Sequence, residues 1–309
     1  MIPTLLLVSV VVFLTIRLIP GDVIALMVAQ HPQASIGGQQ IDVEAIRQAL
    51  GMDVPVPVQY VRWVGDMLRG DLGTSLWTGR SVMEDVLFKL PITFELGLMA
   101  FIIAQLVALP IGLYSAIRQD TAGDYFGRSF AIICLAVPSF WLGTMVMVLP
   151  SIWWTWAPSP VYIPFKEDPL ANLGQFLIPA ALLGMAMAGT TMRMLRTTML
   201  EVLRQDYVRT AWSKGLTERV VIIRHALRNA LIPVVTIISG QIGIMIGGAV
   251  IIEQIFSLPG MGRLFLDAIT RRDYPFVCGI NMLFATVGLI IILITDLSYA
   301  YLDPRIRYR

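Results

Sequence analysis

Lysine is scarce in this chain. Lys89, Lys166 and Lys214 are the only three and none follows a glycine, so the Gly-Lys-Ser/Thr end of a phosphate-binding loop is missing. Histidine is rarer still: His31 and His225 are the only two, too few for a metal site built on imidazole. The two cysteines, Cys134 and Cys278, both fall inside long apolar runs. They read as small packing residues rather than as a disulfide. Charge as a whole is thin, at 14% of 309 residues against 56% hydrophobic, where a soluble domain carries about 25% charged residues. A membrane protein is implied.

What the chain does have is long stretches without charge. About 20 apolar residues cross a hydrocarbon core, and six runs reach or approach that length: Met1 to Ile16, Leu96 to Ile117, Ser129 to about Leu149, Pro169 to Met192, Asn229 to Ile252 and Tyr274 to Thr295. The first is short, but Leu18 and Ile19 extend it past Arg17, whose stem can snorkel to the interface. It has neither a basic leader nor a small-residue cleavage site, so it reads as a retained crossing rather than a secretory signal. Six crossings place both termini on one side. If that side is the cytoplasm, segments 118–128, 193–228 and 305–309 hold thirteen Lys and Arg residues, and the short outer segments 151–175 and 253–273 hold four. That is the bias the positive-inside rule requires.

Segment 20–90 is patterned for helix. Asp42 can cap a short helix ending at Gly51, Pro57 can open a second through Leu68, and "SVMEDVLFKL" alternates apolar and charged faces at helical spacing. The turn-rich "GDLGTS" lies between the second and third. This predicts a helical cap over the outer mouth. From Ser129 to Phe165 no charge occurs, but Pro150, Pro158, Pro160 and Pro164 exclude one long helix; "WWTWAP" supplies tryptophans suited to the headgroup level. The fifth run carries Gly240, Gly243, Gly247 and Gly248, which predict close packing against neighbouring spans. The whole chain reads as one domain, 1–309.

Ionisable groups are almost absent from membrane depth. Glu95, Arg193, Glu253 and Asp296 stand at run edges, and only Gln105, Gln241, Asn281 and scattered hydroxyls lie deeper. Proton or ion coupling usually needs buried charge, so a stand-alone secondary transporter is disfavoured, as is an intramembrane enzyme. The largest inner segment, Arg193 to Arg228, is far smaller than a nucleotide-binding domain. The chain cannot be its own ATPase.

That inner segment is the most informative part of the sequence. Leu200, Leu203, Tyr207, Val208, Ala211 and Trp212 recur at three- and four-residue steps, with Glu201, Arg204, Gln205 and Arg209 opposite them, which predicts an amphipathic helix from Met199 to Lys214. Gly215 can adopt the left-handed conformation that ends it, and Thr217 is placed to cap a second, cationic helix running into the fifth span. Such a hairpin suits either a partner's groove or an anionic lipid surface.

The stretch "RQDYVRTAWSKGLTERVVIIRHALRNALIPVVT", Arg204 to Thr236, resembles permease subunits of bacterial ABC importers for dipeptides and oligopeptides. "RLIPGD" at 17–22, "GDLGTS" at 70–75, "EQIFSLPGMGRL" at 253–264, "RRDYP" at 271–275 and "DPRIRY" at 303–308 resemble the same family, in the expected order. The resemblance implies an all-α fold with six transmembrane helices, a helical extracytoplasmic loop after the first and a cytoplasmic coupling hairpin between the fourth and fifth. It implies a multi-pass protein of the bacterial inner membrane that works beside a second permease, two ATPase subunits and an extracytoplasmic binding protein. ATP and Mg would be held by the ATPases, with no cofactor, metal or catalytic residue on this chain. Docking onto the ATPase would fall to Asp206, Tyr207, Arg209, Thr210, Ala211, Lys214 and Gly215, and contact with the binding protein to Pro259, Gly260, Arg271 and Arg272. Arg209-Thr210-Ala211 stands where the wider importer signature has Glu-Ala-Ala, and Trp212 where a small or basic residue is usual. A short basic tail, which similar proteins carry before the first span, is absent. Related importers for nickel, glutathione or oligosaccharide share these motifs.

Overall fold

The computed structural model describes residues 2–18, 53–159 and 161–302. All regular structure among them is helical: α1 (Ile2–Leu18), α2 (Val56–Leu68), α3 (Val82–Ile117), α4 (Ala122–Ala136), α5 (Ser139–Trp154), α6 (Pro169–Leu203), α7 (Asp206–Ser213), α8 (Glu218–Val220), a π-helical segment (Val221–Leu227), α9 (Arg228–Ile255), α10 (Met261–Arg271) and α11 (Tyr274–Leu302). By length and composition Val82–Ile117, Pro169–Leu203, Glu218–Gly243 and Tyr274–Ile294 can each cross a bilayer, and the bent pair α4 and α5 can supply a fifth crossing. Ile2–Thr15 is apolar but shorter.

The run expected as one span from Ser129 to Leu149 is broken. Its halves α4 and α5 meet at 89°, because Pro138 forces its predecessor out of the helical region; Val137 is extended, at φ −89° and ψ 122°. Beyond α5 the chain leaves the helix at Thr155, which is left-handed at φ 53°. The loop that follows is held by polar groups of α6. Gln175 Nε2 donates to the carbonyls of Ser159 and Val161, at 3.2 and 2.7 Å, and Asn172 Nδ2 to that of Ile163 at 2.9 Å. Asp168 caps α6, its Oδ1 accepting from the amides of Leu170 and Ala171, with Pro169 at the position where a missing N–H costs nothing.

The described chain divides into two compact units, residues 1–91 with 263–289, and residues 92–262 with 290–309. In the first, Phe13 of α1 packs against Tyr60 and Trp63 of α2, with ring centroids 5.2 and 5.5 Å apart, and the Ser9 and Tyr60 hydroxyls are hydrogen-bonded. Helix α2 runs from Val56 to Leu68 with a proline in its first turn, as the sequence predicts. The expected short helix between Asp42 and Gly51, together with "RLIPGD" beyond Leu18 and "DPRIRY", lies outside the described residues.

In the second unit α6 is the central helix. Phe176, Ala180, Leu183 and Leu182 join Leu96 and Ala100 of α3 and Ile252 of α9 in one core, and Met187, Ala188 and Met192 join Ala104, Ala108, Ala131 and Cys134 in the next. Helices in lipid associate by close packing rather than by leaving water, and two glycines of α6 permit it. A Cβ at Gly184 would stand 2.6 Å from the Ala100 carbonyl oxygen, and one at Gly189 2.8 Å from that of Ala131. The glycine row of α9 behaves otherwise than expected. Gly240, Gly243 and Gly247 face open space and only Gly248 of the four meets a neighbour, Leu183. Both cysteines are free and buried.

Candidate functional site

The hairpin after α6 is built by burying a small apolar face. Val208 and Ala211 of α7 and Val221 form one cluster, supported by Val202 and Leu203; a fully buried valine contributes about 1.5–3 kcal/mol. The predicted continuous helix from Met199 to Lys214 is interrupted. Arg204 closes α6, and Gln205 is extended at ψ 148°, opening α7 in a new direction. Lys214 follows α7, and Gly215 then takes φ +73°, with its amide donating to the Trp212 carbonyl at 2.9 Å. The left-handed turn predicted at Gly215 is therefore present. Thr217 occupies the N-cap position of α8, but its side chain makes no capping bond; its carbonyl accepts from Val220 and Val221 instead.

Of the residues expected to dock, Asp206, Tyr207, Arg209, Thr210, Lys214 and Gly215 are exposed on the hairpin. Ala211 is not among them. It is 6% exposed, and it supports the exposed residues of α7 from beneath because it lies on the helix face shared with Val208. Trp212, which departs from the usual pattern, is 45% exposed beside this face. Arg209 and Asp206 approach to 3.5 Å across one turn, and both are well solvated, so that pair contributes little to stability.

Two features tie the hairpin to the membrane helices, and the sequence pattern showed neither. Asn229 Nδ2 donates to the Tyr207 hydroxyl at 2.7 Å and to the His225 carbonyl at 3.3 Å, so α7 is bonded to the start of α9. Between them the helix widens to π geometry from Val221 to Leu227. The apolar positions Ile222, Ala226, Ala230 and Val234, buried together against Leu195 and Met199, recur every four residues. An α-helix turns every 3.6 residues, so that spacing drifts around it; wider i→i+5 turns take up the drift.

A buried charge cluster fixes the same end of α6. Arg196 donates from Nε and a terminal nitrogen to the two carboxylate oxygens of Asp124, at 2.7 and 2.8 Å. Asp124 is fully buried and also accepts from the Ser115 hydroxyl and, at 3.0 Å, from the Asp120 amide. Asp120 is left-handed at φ 60°. The turn joining α3 to α4 is thus clamped to α6 two helical turns before the hairpin.

Within the first unit, two distant motifs prove to be one structure. The Ser75 hydroxyl of "GDLGTS" donates to Asp273 Oδ2 of "RRDYP" at 2.5 Å, the Leu76 amide donates to Oδ1 at 3.1 Å, and Trp77 Nε1 donates to the Arg271 carbonyl at 2.8 Å. Asp273 also caps α11, accepting from the Phe276 amide. Burial pushes its carboxyl above the usual range, against the opposing pull of the Ser75 bond and the Leu76 and Phe276 amides. A carboxyl raised on folding contributes stability that is complete below the unfolded value, about 3.9, and is lost as pH rises through the folded value. Thermal unfolding of the detergent-solubilised protein is therefore expected to show stability falling as pH rises from about 4. Asp273→Ala should flatten that dependence while costing about 1–3 kcal/mol in unsatisfied donors. An unchanged pH dependence in Asp273→Ala would refute the assignment.

Within the second unit, "EQIFSLPGMG" folds back on its own glutamate. Glu253 is fully buried and accepts from the Thr93 hydroxyl at 2.5 Å and the Gly262 amide at 2.7 Å, while the Met261 amide donates to Thr93 Oγ1 at 2.8 Å. These bonds satisfy the first amides of α10. The fold-back turns Gly260 inward against the Glu253 carboxyl, so Gly260 presents no surface to a binding protein. Pro259 is half-buried, Arg271 exposed, and Arg272 half-buried in a left-handed turn at φ 56°.

The sequence matches the binding-protein-dependent transport system inner membrane component over residues 108–308, and the N-terminal part of that membrane component over residues 1–97. It is 39% identical over 307 residues to a Brucella abortus chain named for a peptide transport system permease, covering 99% of this chain and 96% of the relative. It is 36% identical to the glutathione transport system permease GsiC of Pectobacterium atrosepticum and 36% identical to the dipeptide transport system permease DppB of Escherichia coli K12, each match covering 100% of this chain and 96% of the relative. Among solved structures it is similar in fold to the inward-facing MetNI methionine ABC transporter, with TM-score 0.57 at 12% identity over 72% of this chain and 97% of the other. An amino acid ABC transporter crystallised with histidines gives 0.55 at 13%, over 71% and 94%. The chain belongs to the family of inner membrane components of binding-protein-dependent transport systems. It is a multi-pass membrane permease of that family.

Proposed function

We propose that this chain is one permease subunit of an ATP-driven importer for small peptides, paired with a second permease, driven by two ATPase subunits and fed by an extracytoplasmic binding protein. The observation that carries the proposal is the hairpin itself: an eight-residue helix with a charged, exposed face, ended by a left-handed glycine and bonded to the next membrane helix through Tyr207 and Asn229. A groove on one ATPase would receive that face, with Asp206, Tyr207, Arg209, Thr210 and Lys214 touching it and Ala211 and Gly215 shaping it. ATP and Mg would be bound by the ATPase subunits, which would hydrolyse the ATP, and not by this chain. Closure of the ATPases would displace α7, and the helices on either side of it would carry the movement into the membrane as alternating access.

The excess of basic residues at 118–128, 193–228 and 305–309 supports a topology with the hairpin and both termini in the cytoplasm. Six crossings fit it, with α1 as the first and the bent α4–α5 pair as the third. Arg271, Arg272 and Pro259 would then face the binding protein. The permeases named for dipeptide and for glutathione support a peptide substrate.

The docking proposal is tested by charge reversal. Arg209→Glu is expected to reduce ATPase recovered with tagged permease by about tenfold, the effect of losing roughly 1.4 kcal/mol at a charged contact. Full recovery would favour a lipid-facing hairpin.

A further inference from the structure

A groove of about 340 Å³ lies within the second unit between α4, α6 and α9, lined by Leu135, Thr190, Arg193, Met194, Thr197 and Ile237. Its polar groups come from α6 alone, and they share one helix face because they are three and four residues apart. The Thr190 hydroxyl donates to the Ala186 carbonyl at 2.9 Å, leaving its oxygen able to accept. Arg193 and Thr197 have no side-chain hydrogen bond or ion pair among the described residues. Arg196, one turn further on, is neutralised by Asp124. Helix α6 therefore carries one satisfied arginine and one free arginine side by side.

Arg193 stands 24 residues beyond Pro169, about 36 Å along the helix, near the end that leads into the hairpin. A lone cation at such a site must meet an anion or water. The surroundings choose the kind of anion. Leu135, Met194 and Ile237 wall the groove with apolar atoms, and its volume lies within the range of about 300–1,000 Å³ typical of small-ligand sites. A guanidinium on the same helix face as two hydroxyls suits a carboxylate or phosphate, bound by charge-assisted hydrogen bonds.

We infer that this groove is a subsite on the transport path, in which Arg193 takes the terminal carboxylate of a small peptide and the apolar wall takes a side chain. The assignment rests on the peptide-permease reading. A phosphate headgroup of an anionic lipid shares the same chemistry, and the test separates the two.

The test uses the assembled permease–ATPase complex in phosphatidylcholine nanodiscs, with Cys134→Ala and Cys278→Ala to silence native thiols and Thr197→Cys as reporter; Thr190→Cys is the second reporter should the first fail to assemble. With Arg193 intact, an anionic thiol reagent is expected to react about tenfold faster, relative to a cationic one, than in Arg193→Gln. Ala-Ala should slow labelling, its C-terminal amide should not, and Arg193→Gln should abolish the protection. No protection by Ala-Ala, or equal protection by the amide, overturns the inference. Labelling blocked by phosphatidylglycerol, with no further effect of Ala-Ala, assigns the groove to lipid and overturns it too. Uptake of Ala-Ala by the intact importer is measured separately. Protection without uptake contradicts the importer reading and supports the carboxylate subsite.

Discussion

Gly215→Val is expected to cut coupled uptake by about tenfold while the ATPases continue to hydrolyse ATP. Gly215 sits at φ +73°, and a Cβ added there would meet nothing within 4 Å. The cost of substitution is therefore backbone strain and not collision. An L-residue in that region pays about 1–2 kcal/mol, and a β-branched one resists it most. Relief would come from straightening the turn, which would move Lys214 and redirect the proposed docking face. A change of that size lowers the population of the docked geometry by roughly tenfold, so transport per ATP should fall about as much. Gly215→Asn provides the control, because asparagine tolerates the left-handed region and the site is open: it should retain most activity. Valine and asparagine variants that transport equally well would exclude a conformational role for the turn.

Arg196→Leu is expected to be the most destabilising single change near the hairpin. It would leave the Asp124 carboxylate fully buried with only the Ser115 hydroxyl and Asp120 amide as partners. Breaking a buried pair in this way costs about 3–5 kcal/mol, whereas replacing both charges by apolar groups is often neutral. Thermal unfolding in detergent should therefore show a large loss in Arg196→Leu and substantial recovery in the double variant Asp124→Leu with Arg196→Met. Equal stability of the single variant and the parent would mean that the clamp carries no net energy. The double variant also separates stability from mechanism: if it folds and transports normally, the clamp serves packing alone.

The helical character, the family and the hairpin were legible in the sequence because each rests on local signals: charge-free length, apolar periodicity, and a glycine between two amphipathic stretches. The places where local reading failed are equally physical. A charge-free run reads as one span because its composition is uniform, and that uniformity hides the 89° bend at Pro138. The row of glycines in α9 suggested close helix contact, but the close approaches fall at Gly184 and Gly189, where the partners are carbonyls of other helices that no single segment can reveal. Ala211 looked like part of a surface motif because its neighbours are; its burial depends on Val221 across the turn. Likewise "GDLGTS" and "RRDYP" stood out as separate motifs, and only the fold joins Ser75 to Asp273 across 198 residues. The clamp between Asp124 and Arg196 gave no signal beyond two opposite charges 72 residues apart.

The central claim is that α7 transmits work done by a separate ATPase to a chain with no energy source of its own. Vesicles reconstituted with both permeases and the binding protein, with and without the ATPase subunits, test it directly through accumulation of a labelled dipeptide. Accumulation that requires the ATPases and internal ATP, and that Gly215→Val sharply reduces, is the result predicted. Accumulation by the permeases alone, driven by an ion gradient, would contradict it.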